Sequence, residues 1–243
     1  LLLVSCRQSA LTFTEQEKAW IAANPEITLG ADYSWAPYDF RNEDGEHDGI
    51  AADILKLISK KSGLKIIVKP DIWANTMEKM RDGELMGLSC VAANEERQEF
   101  LLFSKPYVSL SLGIIVQQHR DDIHSMDDLT GLKLAVNEDS YLHNWLKIHY
   151  PDLDLVLTDS NEESLEAVSF SQADAYIGNI AVATNVIKQR YLSNLRVAAK
   201  VPGLTTDTSV AVDKRYPLLH SIIEKSLAAI TAAEKQQIIE CHV

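Results

Sequence analysis

Residues 50–91 read IAADILKLISKKSGLKIIVKPDIWANTMEKMRDGELMGLSCV, and they hold helix, strand, helix and strand in turn. Ile54, Leu55, Leu57 and Ile58 fall at helical spacing between Ile50 and Lys61, and Ser62-Gly63 is a helix stop. Leu64–Val68 is then an apolar strand run. Trp73–Asp82 is a second helix ended by Gly83, and Leu85–Val91 is a short buried strand. With the strand Ile27–Gly30 upstream, the order is β-α-β-α-β. That order predicts a parallel sheet with helices on its faces.

Further toward the N-terminus, residues 15–24 read as a short helix with Trp20 and Ile21 on one face, stopped by Asn24-Pro25. A second α/β unit follows downstream. Leu112–Val116 is a strand leaving the first unit, and 125–131 a short helical turn. Strands are predicted at Lys133–Val136, Leu153–Leu157, Ala175–Ile177 and Leu195–Ala198, with helices at Ser140–His149, Glu162–Phe170 and Ile180–Gln189. Ser209–Val212 reads as a strand returning to the first unit, and Tyr216–Ala232 as a closing helix.

The chain has 243 residues, 46% of them apolar, which is enough for a substantial core in one large domain or two ordinary ones. A formal net charge of −12, with no basic cluster beyond pairs such as Lys60-Lys61, excludes a phosphate-binding surface and hence nucleic acid as partner. Cys6, Cys90 and Cys241 make no disulfide framework and, with seven scattered histidines, no metal spacing. No apolar run approaches the ~20 residues that span a bilayer. LLLVSC (1–6) reads as the tail of a signal-peptide hydrophobic region; it also resembles a bacterial lipobox, in which Cys6 would carry lipid. Either reading of residues 1–10 implies export across the inner membrane.

The chemistry concentrates in GLSCVAANEERQEFLLFSKPY (87–107). Arg97 stands at a loop or helix start between two strand-like pieces, just after the small residues Ser89, Cys90, Ala92 and Ala93. Small residues leave room for a ligand, and a guanidinium can hold a carboxylate in two parallel hydrogen bonds. The competing reading is a solvated arginine paired with Glu95, Glu96 or Glu99. In open α/β lobes ligands sit outside the carboxyl ends of the strands. The loops carrying Asp32–Phe40, Ala92–Arg97, Asn137–Tyr141 and Gly178-Asn179 are therefore expected to face one cleft.

Five segments, in this order, resemble one family: ITLGADYSWAPYDF (27–40), GIAADILKLIS (49–59), LTFTEQEKAWIAANP (11–25) ahead of both, ADAYIGNIAVA (173–183) and ITAAEKQQI (230–238). They are similar to the type 2 periplasmic solute-binding proteins, extracellular family 3. Within these they are closest to the Venus-flytrap sensor domains of histidine kinases and diguanylate cyclases. The resemblance implies two α/β lobes joined by a two-strand hinge near Ser109–Leu112 and Leu204–Thr208. Lobe 1 would be 26–109 plus 208–243, and lobe 2 would be 112–205. It also implies that Arg97 grips a ligand carboxylate and Trp35 stacks over the ligand. Cys90 and Ala92 would stand where amino acid binders use polar contacts, and Ser140 and Tyr141 would close from lobe 2. Asp32 and Tyr38 complete the expected site. Asn179 departs from the aspartate that receives the ligand ammonium in amino acid binders, which counts against an ordinary α-amino acid and leaves a carboxylate or amino acid-like compound, or a different small molecule, as the ligand.

No Gly-x-Ser-x-Gly, phosphate loop or His-Glu-x-x-His is present. The chain therefore reads as a binding module, with no cofactor and no catalytic residues. One expectation is a periplasmic sensor module relaying a small anionic solute to a membrane-bound kinase or cyclase. The other is the solute-binding subunit of an ABC transporter, working with a permease.

Overall fold

The structure is a computed structural model that describes residues 11–242, apart from the side chains of 202–205. The proposed signal remnant or lipobox at residues 1–10, Cys6 included, lies outside the described residues. The chain opens with α1 (Glu15–Ala23), then β1 (Glu26–Asp32), the short strands β2 (Ser34–Trp35), β3 (Asp39–Arg41) and β4 (His47–Asp48), α2 (Ile50–Ser62), β5 (Lys65–Asp71), α3 (Trp73–Arg81), β6 (Gly87–Ala92), α4 (Glu95–Phe100) and β7 (Leu101–Phe103). Next comes the long strand β8 (Val108–Gln117). After it run β9 (Lys133–Asn137), α5 (Tyr141–His149), β10 (Asp154–Thr158), α6 (Asn161–Ser169), β11 (Ala175–Asn179) and α7 (Ile180–Gln189). The 19-residue strand β12 (Leu195–Asp213) leads to α8 (Pro217–Ala228) and α9 (Ala232–His242).

One sheet runs through the molecule in the order β10-β9-β11-β8-β12-β6-β1-β5, with β7 beside β12. The pairs β1–β5, β1–β6, β9–β10 and β9–β11 are parallel, as alternating strands and helices require. The middle of the sheet is antiparallel, because β8 and β12 pass between the two halves in opposite directions. Their ladder is interrupted at the passage. Lys200 pairs with Gly113 and Thr205 with Ser111, so residues 201–204 of β12 stand opposite Leu112 alone. Apolar burial is divided accordingly. One cluster joins Ile27, Leu29, Ile54 and Ile58 to Leu219 and Ile222 of α8. Another joins Ile114, Val116, Leu134, Leu146 and Ile177 in the other half.

α2 shows why the first lobe forms. Ile50, Ile54, Leu55 and Ile58 turn to the core, each contributing roughly 1.5–3 kcal/mol by burial. Gly63 closes the helix in the left-handed conformation (φ 80°). At the other end Gly49 has φ 104°, and a Cβ there would lie 2.8 Å from the carbonyl oxygens of Pro37 and Tyr38. The aromatic turn can therefore fold directly onto the start of α2 only through glycine.

Three features differ from the expectations. The aromatic turn is a small separate sheet, β2-β3-β4. The strands expected at 195–198 and 209–212 are parts of the single strand β12. The expected closing helix breaks after Ala228, because Thr231 and Glu234 form a capping box that starts a new one. The Thr231 N–H donates to Glu234 Oε2 (2.7 Å), and the Glu234 N–H to Thr231 Oγ1 (3.1 Å). Thr14 and Glu17 start α1 in the same way. Glu17, 2% exposed, also accepts from Ser221 Oγ and Lys225 Nζ (2.7 Å each), which fastens α1 to α8.

Candidate functional site

A cleft opens between the halves at the carboxyl ends of β1, β6, β9 and β11. Among its lining residues are Asp32, Trp35, Trp73, Cys90, Ala92, Arg97, Ser140, Tyr141, Asn179 and Thr206. Arg97 is placed by its own helix start: Asn94 caps α4, its Oδ1 accepting the Arg97 N–H at 2.8 Å. The guanidinium is 1% exposed. Its Nη1 donates to the Ala92 carbonyl (2.9 Å) and its Nη2 to the Asp139 carbonyl across the cleft (2.8 Å), while Cζ lies 5.3 Å from the Trp73 ring centroid. Nε is buried and has no partner among the described residues. Burial lowers the Arg97 pKa to about 10, so the group stays cationic at neutral pH. No carboxylate bonds to it; Glu96 instead pairs with Arg81. The solvated-arginine reading is excluded by this burial.

The opposite lip is the turn before α5. Asp139 has a left-handed backbone (φ 53°), and its carbonyl accepts from both Arg97 and the Trp73 indole N–H (3.0 Å). Its carboxylate meets Arg81 Nη1 at 3.3 Å. Ser140 caps α5 by accepting the His143 N–H (3.1 Å), and the Asp139 N–H donates to His143 Nδ1 (3.0 Å). At the other end of the cleft Asn161 Nδ2 reaches the Ser34 carbonyl (3.5 Å). The lobes thus touch at both lips.

Asp32 lines the cleft, is 7% exposed and has no cationic partner among the described residues; its Oδ1 accepts the Ser34 N–H at 2.8 Å. Burial is the main cause that raises its carboxyl to about 7, and the negative charges of Asp39 and Glu162 add to it. Burial likewise raises Glu162 on α6. Cys90, 3% exposed, has its thiol pushed far up by burial and stays protonated, a small packing group rather than a nucleophile. Asn179 is already bonded: its Oδ1 accepts the Val182 N–H to cap α7 (3.0 Å), its Nδ2 donates to the Ser111 carbonyl on the connecting strand β8 (3.4 Å), and its side chain also bonds that of Tyr38 from the first lobe.

Eight of the nine expected residues line this one cleft. Tyr38 is not among the lining residues; it is 8% exposed in the first-lobe core, with its ring 5.7 Å from Trp35. Asn137, at the start of a loop expected to face the cleft, lines it as well; Trp73, Asn161, Tyr176 and Thr206 also line the cleft and lie outside the expected loops. Trp73 and Asn161 each begin a helix just past a parallel strand, so the strand-end rule that selected Arg97 reaches them too. Thr206 lies inside a strand and carries no such signal; its hydroxyl is buried without a partner. Among the described residues no cluster of metal ligands occurs, and no helix is long and apolar enough to cross a membrane.

The model of the bacterial extracellular solute-binding proteins, family 3, matches residues 27–241. The virulence sensor protein BvgS of Bordetella pertussis is 27% identical over 228 residues, 93% of this chain and 18% of BvgS. The sensor protein EvgS of Escherichia coli K12 is 26% identical over 234 residues, 95% of this chain and 19% of EvgS. The chain therefore spans less than a fifth of these relatives. The crystal structure of the B. pertussis BvgS periplasmic VFT2 domain superposes with a TM-score of 0.83 at 26% identity, covering 96% of this chain and 99% of that domain.

Proposed function

This chain belongs to the bacterial extracellular solute-binding proteins of family 3, and we propose that it is a periplasmic sensor domain whose two lobes hold a small carboxylate at Arg97. Lobe 1 is residues 26–109 with 208–243, and lobe 2 is 112–205. One observation carries the reading: a buried guanidinium lines the cleft with its Nε–H unpaired. A buried donor without a partner costs about 1–3 kcal/mol. A carboxylate set against Nε and the free side of Nη2 removes that cost by a bidentate, charge-assisted pair. Nη1 and Nη2 already donate to the Ala92 and Asp139 carbonyls, so Nε is the nitrogen left without a partner for a ligand.

Asn179 argues against an ordinary α-amino acid. Its oxygen already accepts the Val182 N–H of the α7 cap and carries no charge, so an ammonium there meets one remaining lone pair and forms no charge-assisted bond. The output is a change in the population of lobe arrangements rather than covalent chemistry. A ligand touching Arg97 on one lobe and the Ser140–Tyr141 turn on the other favours closure. In a longer receptor resembling BvgS or EvgS, that change would pass to a membrane-bound kinase.

The test is a thermal-shift and calorimetric screen of short mono- and dicarboxylates against the twenty standard amino acids, repeated with Arg97→Ala. Carboxylates should stabilise the wild type, and Arg97→Ala should abolish the shift. Sub-micromolar binding of a standard amino acid, or an unchanged carboxylate shift in Arg97→Ala, would overturn the reading.

A further inference from the structure

The lobes meet most closely at a residue that the solute need not touch. Asp139 belongs to the second lobe, yet its carbonyl accepts from two donors of the first, Arg97 Nη2 at 2.8 Å and Trp73 Nε1 at 3.0 Å. A carbonyl can serve both only if the peptide is turned toward them, and here the turn needs φ 53°, a left-handed conformation that a residue with a Cβ adopts only at a cost. Something must hold it. The Asp139 N–H donates to His143 Nδ1 at 3.0 Å, one helical turn further on, and His143 is 7% exposed. That contact requires Nδ1 to be an unprotonated acceptor, because a proton there would face the Asp139 N–H head on.

We propose that neutral His143 is the positioning residue of lobe closure: by accepting the Asp139 N–H it fixes the left-handed turn whose carbonyl ties the second lobe to Arg97 and Trp73 of the first. The groups facing it are Lys147 on its own helix and Glu138 and Asp139 on the preceding turn. Arg81 and Arg97 of the other lobe reach it only through Asp139. Burial, with Lys147, lowers the His143 pKa below the ordinary histidine value, against the two acids. The sign follows. Protonation removes the acceptor that holds the turn, so the closed form disfavours the proton: closure is favoured while Nδ1 is unprotonated and is lost as the pH falls through the lowered value. The closed-to-open ratio falls at most tenfold per pH unit, the limit for a single linked proton.

The experiment needs no solute and is independent of which ligand the cleft takes. The indole N–H resonance of Trp73 in ¹⁵N-labelled protein, assigned with Trp73→Phe, reports the Asp139 contact. It is followed from pH 8 to pH 5 beside the imidazole nitrogens of His143 and the radius of gyration from X-ray scattering. In the wild type, all three should change with one midpoint. His143→Asn keeps an acceptor near the place of Nδ1 and cannot titrate in this range. It should hold the Trp73 resonance at its neutral-pH position throughout, whereas His143→Ala should show the acid-limit position at every pH. Two results would overturn the proposal, and the first stands even if His143→Ala fails to fold. One is a Trp73 resonance that titrates in His143→Asn as it does in the wild type. The other is a folded His143→Ala with the wild-type position and pH profile.

Discussion

Asp32→Asn should make the protein more stable, and the gain should grow with pH. The carboxyl of Asp32 is raised from 3.8 to about 7, first by burial and then by Asp39 and Glu162. A raised acid favours the protonated form in the folded state. Its contribution is therefore whole below the unfolded value, near pH 4, and is lost as the pH rises through about 7. Each pH unit in that window removes about 1.4 kcal/mol, so the full span of roughly three units comes to at most ~4 kcal/mol. Some relaxation around the ionised group leaves about 2–4 kcal/mol as the working expectation. Asparagine keeps an oxygen for the Ser34 N–H and carries no charge. The assay is thermal and denaturant unfolding of wild type and Asp32→Asn from pH 4.5 to pH 8. Near pH 4.5 the two should differ little, and near pH 7.5 the variant should melt roughly 5–15 °C higher. His143 acts with the opposite sign over part of the same range, so the difference between the two profiles is the informative quantity. Parallel profiles, with no widening toward alkaline pH, would refute the claim that Asp32 is a buried carboxylate without a compensating cation.

Trp73→Phe removes one of the two donors to the Asp139 carbonyl while keeping an aromatic face under Arg97. It should lower the closed-to-open ratio by about 2- to 10-fold, the worth of one hydrogen bond, read as a larger radius of gyration without ligand. Asn179→Asp preserves the α7 cap, since aspartate caps as well as asparagine, and adds the missing charge. Calorimetry of α-amino acids against their des-amino acids should then show preference moving about tenfold or more toward the amine-bearing member.

Much of the site was readable because a single rule, that ligands gather at the carboxyl ends of parallel strands, selects loops from hydrophobic periodicity alone. It brought Asp32, Ala92, Arg97, Ser140 and Asn179 to one place from four distant segments. It failed where side-chain direction decides: Tyr38 shares the aromatic turn with Trp35 but packs into the core. The capping boxes at Thr14–Glu17 and Thr231–Glu234 were written in the sequence as Thr-x-x-Glu, and reading the second one would have split the closing helix correctly. Other facts had no local signature. Arg97 is held by a carbonyl 42 residues away and stacked near an indole. Asn179 spends its oxygen on a helix end. Such facts arise from which backbone groups the folded chain brings near, and composition and spacing do not encode them.

The interruption between β8 and β12 bears on where the energy of opening resides. With four residues of one strand set against a single residue of the other, the span between the lobes holds slack that can be taken up or let out without undoing a paired rung. If the lobes swing as proposed, this span is where the backbone can turn with the fewest paired rungs at stake. Resistance to the proposed swing then rests on the contacts at the mouth, those of Asp139 at one lip and of Asn161 with Ser34 at the other. Small chemical changes at that rim, a proton or a single side chain, are amplified into large angular ones, while substitutions along the connecting strands should be comparatively silent.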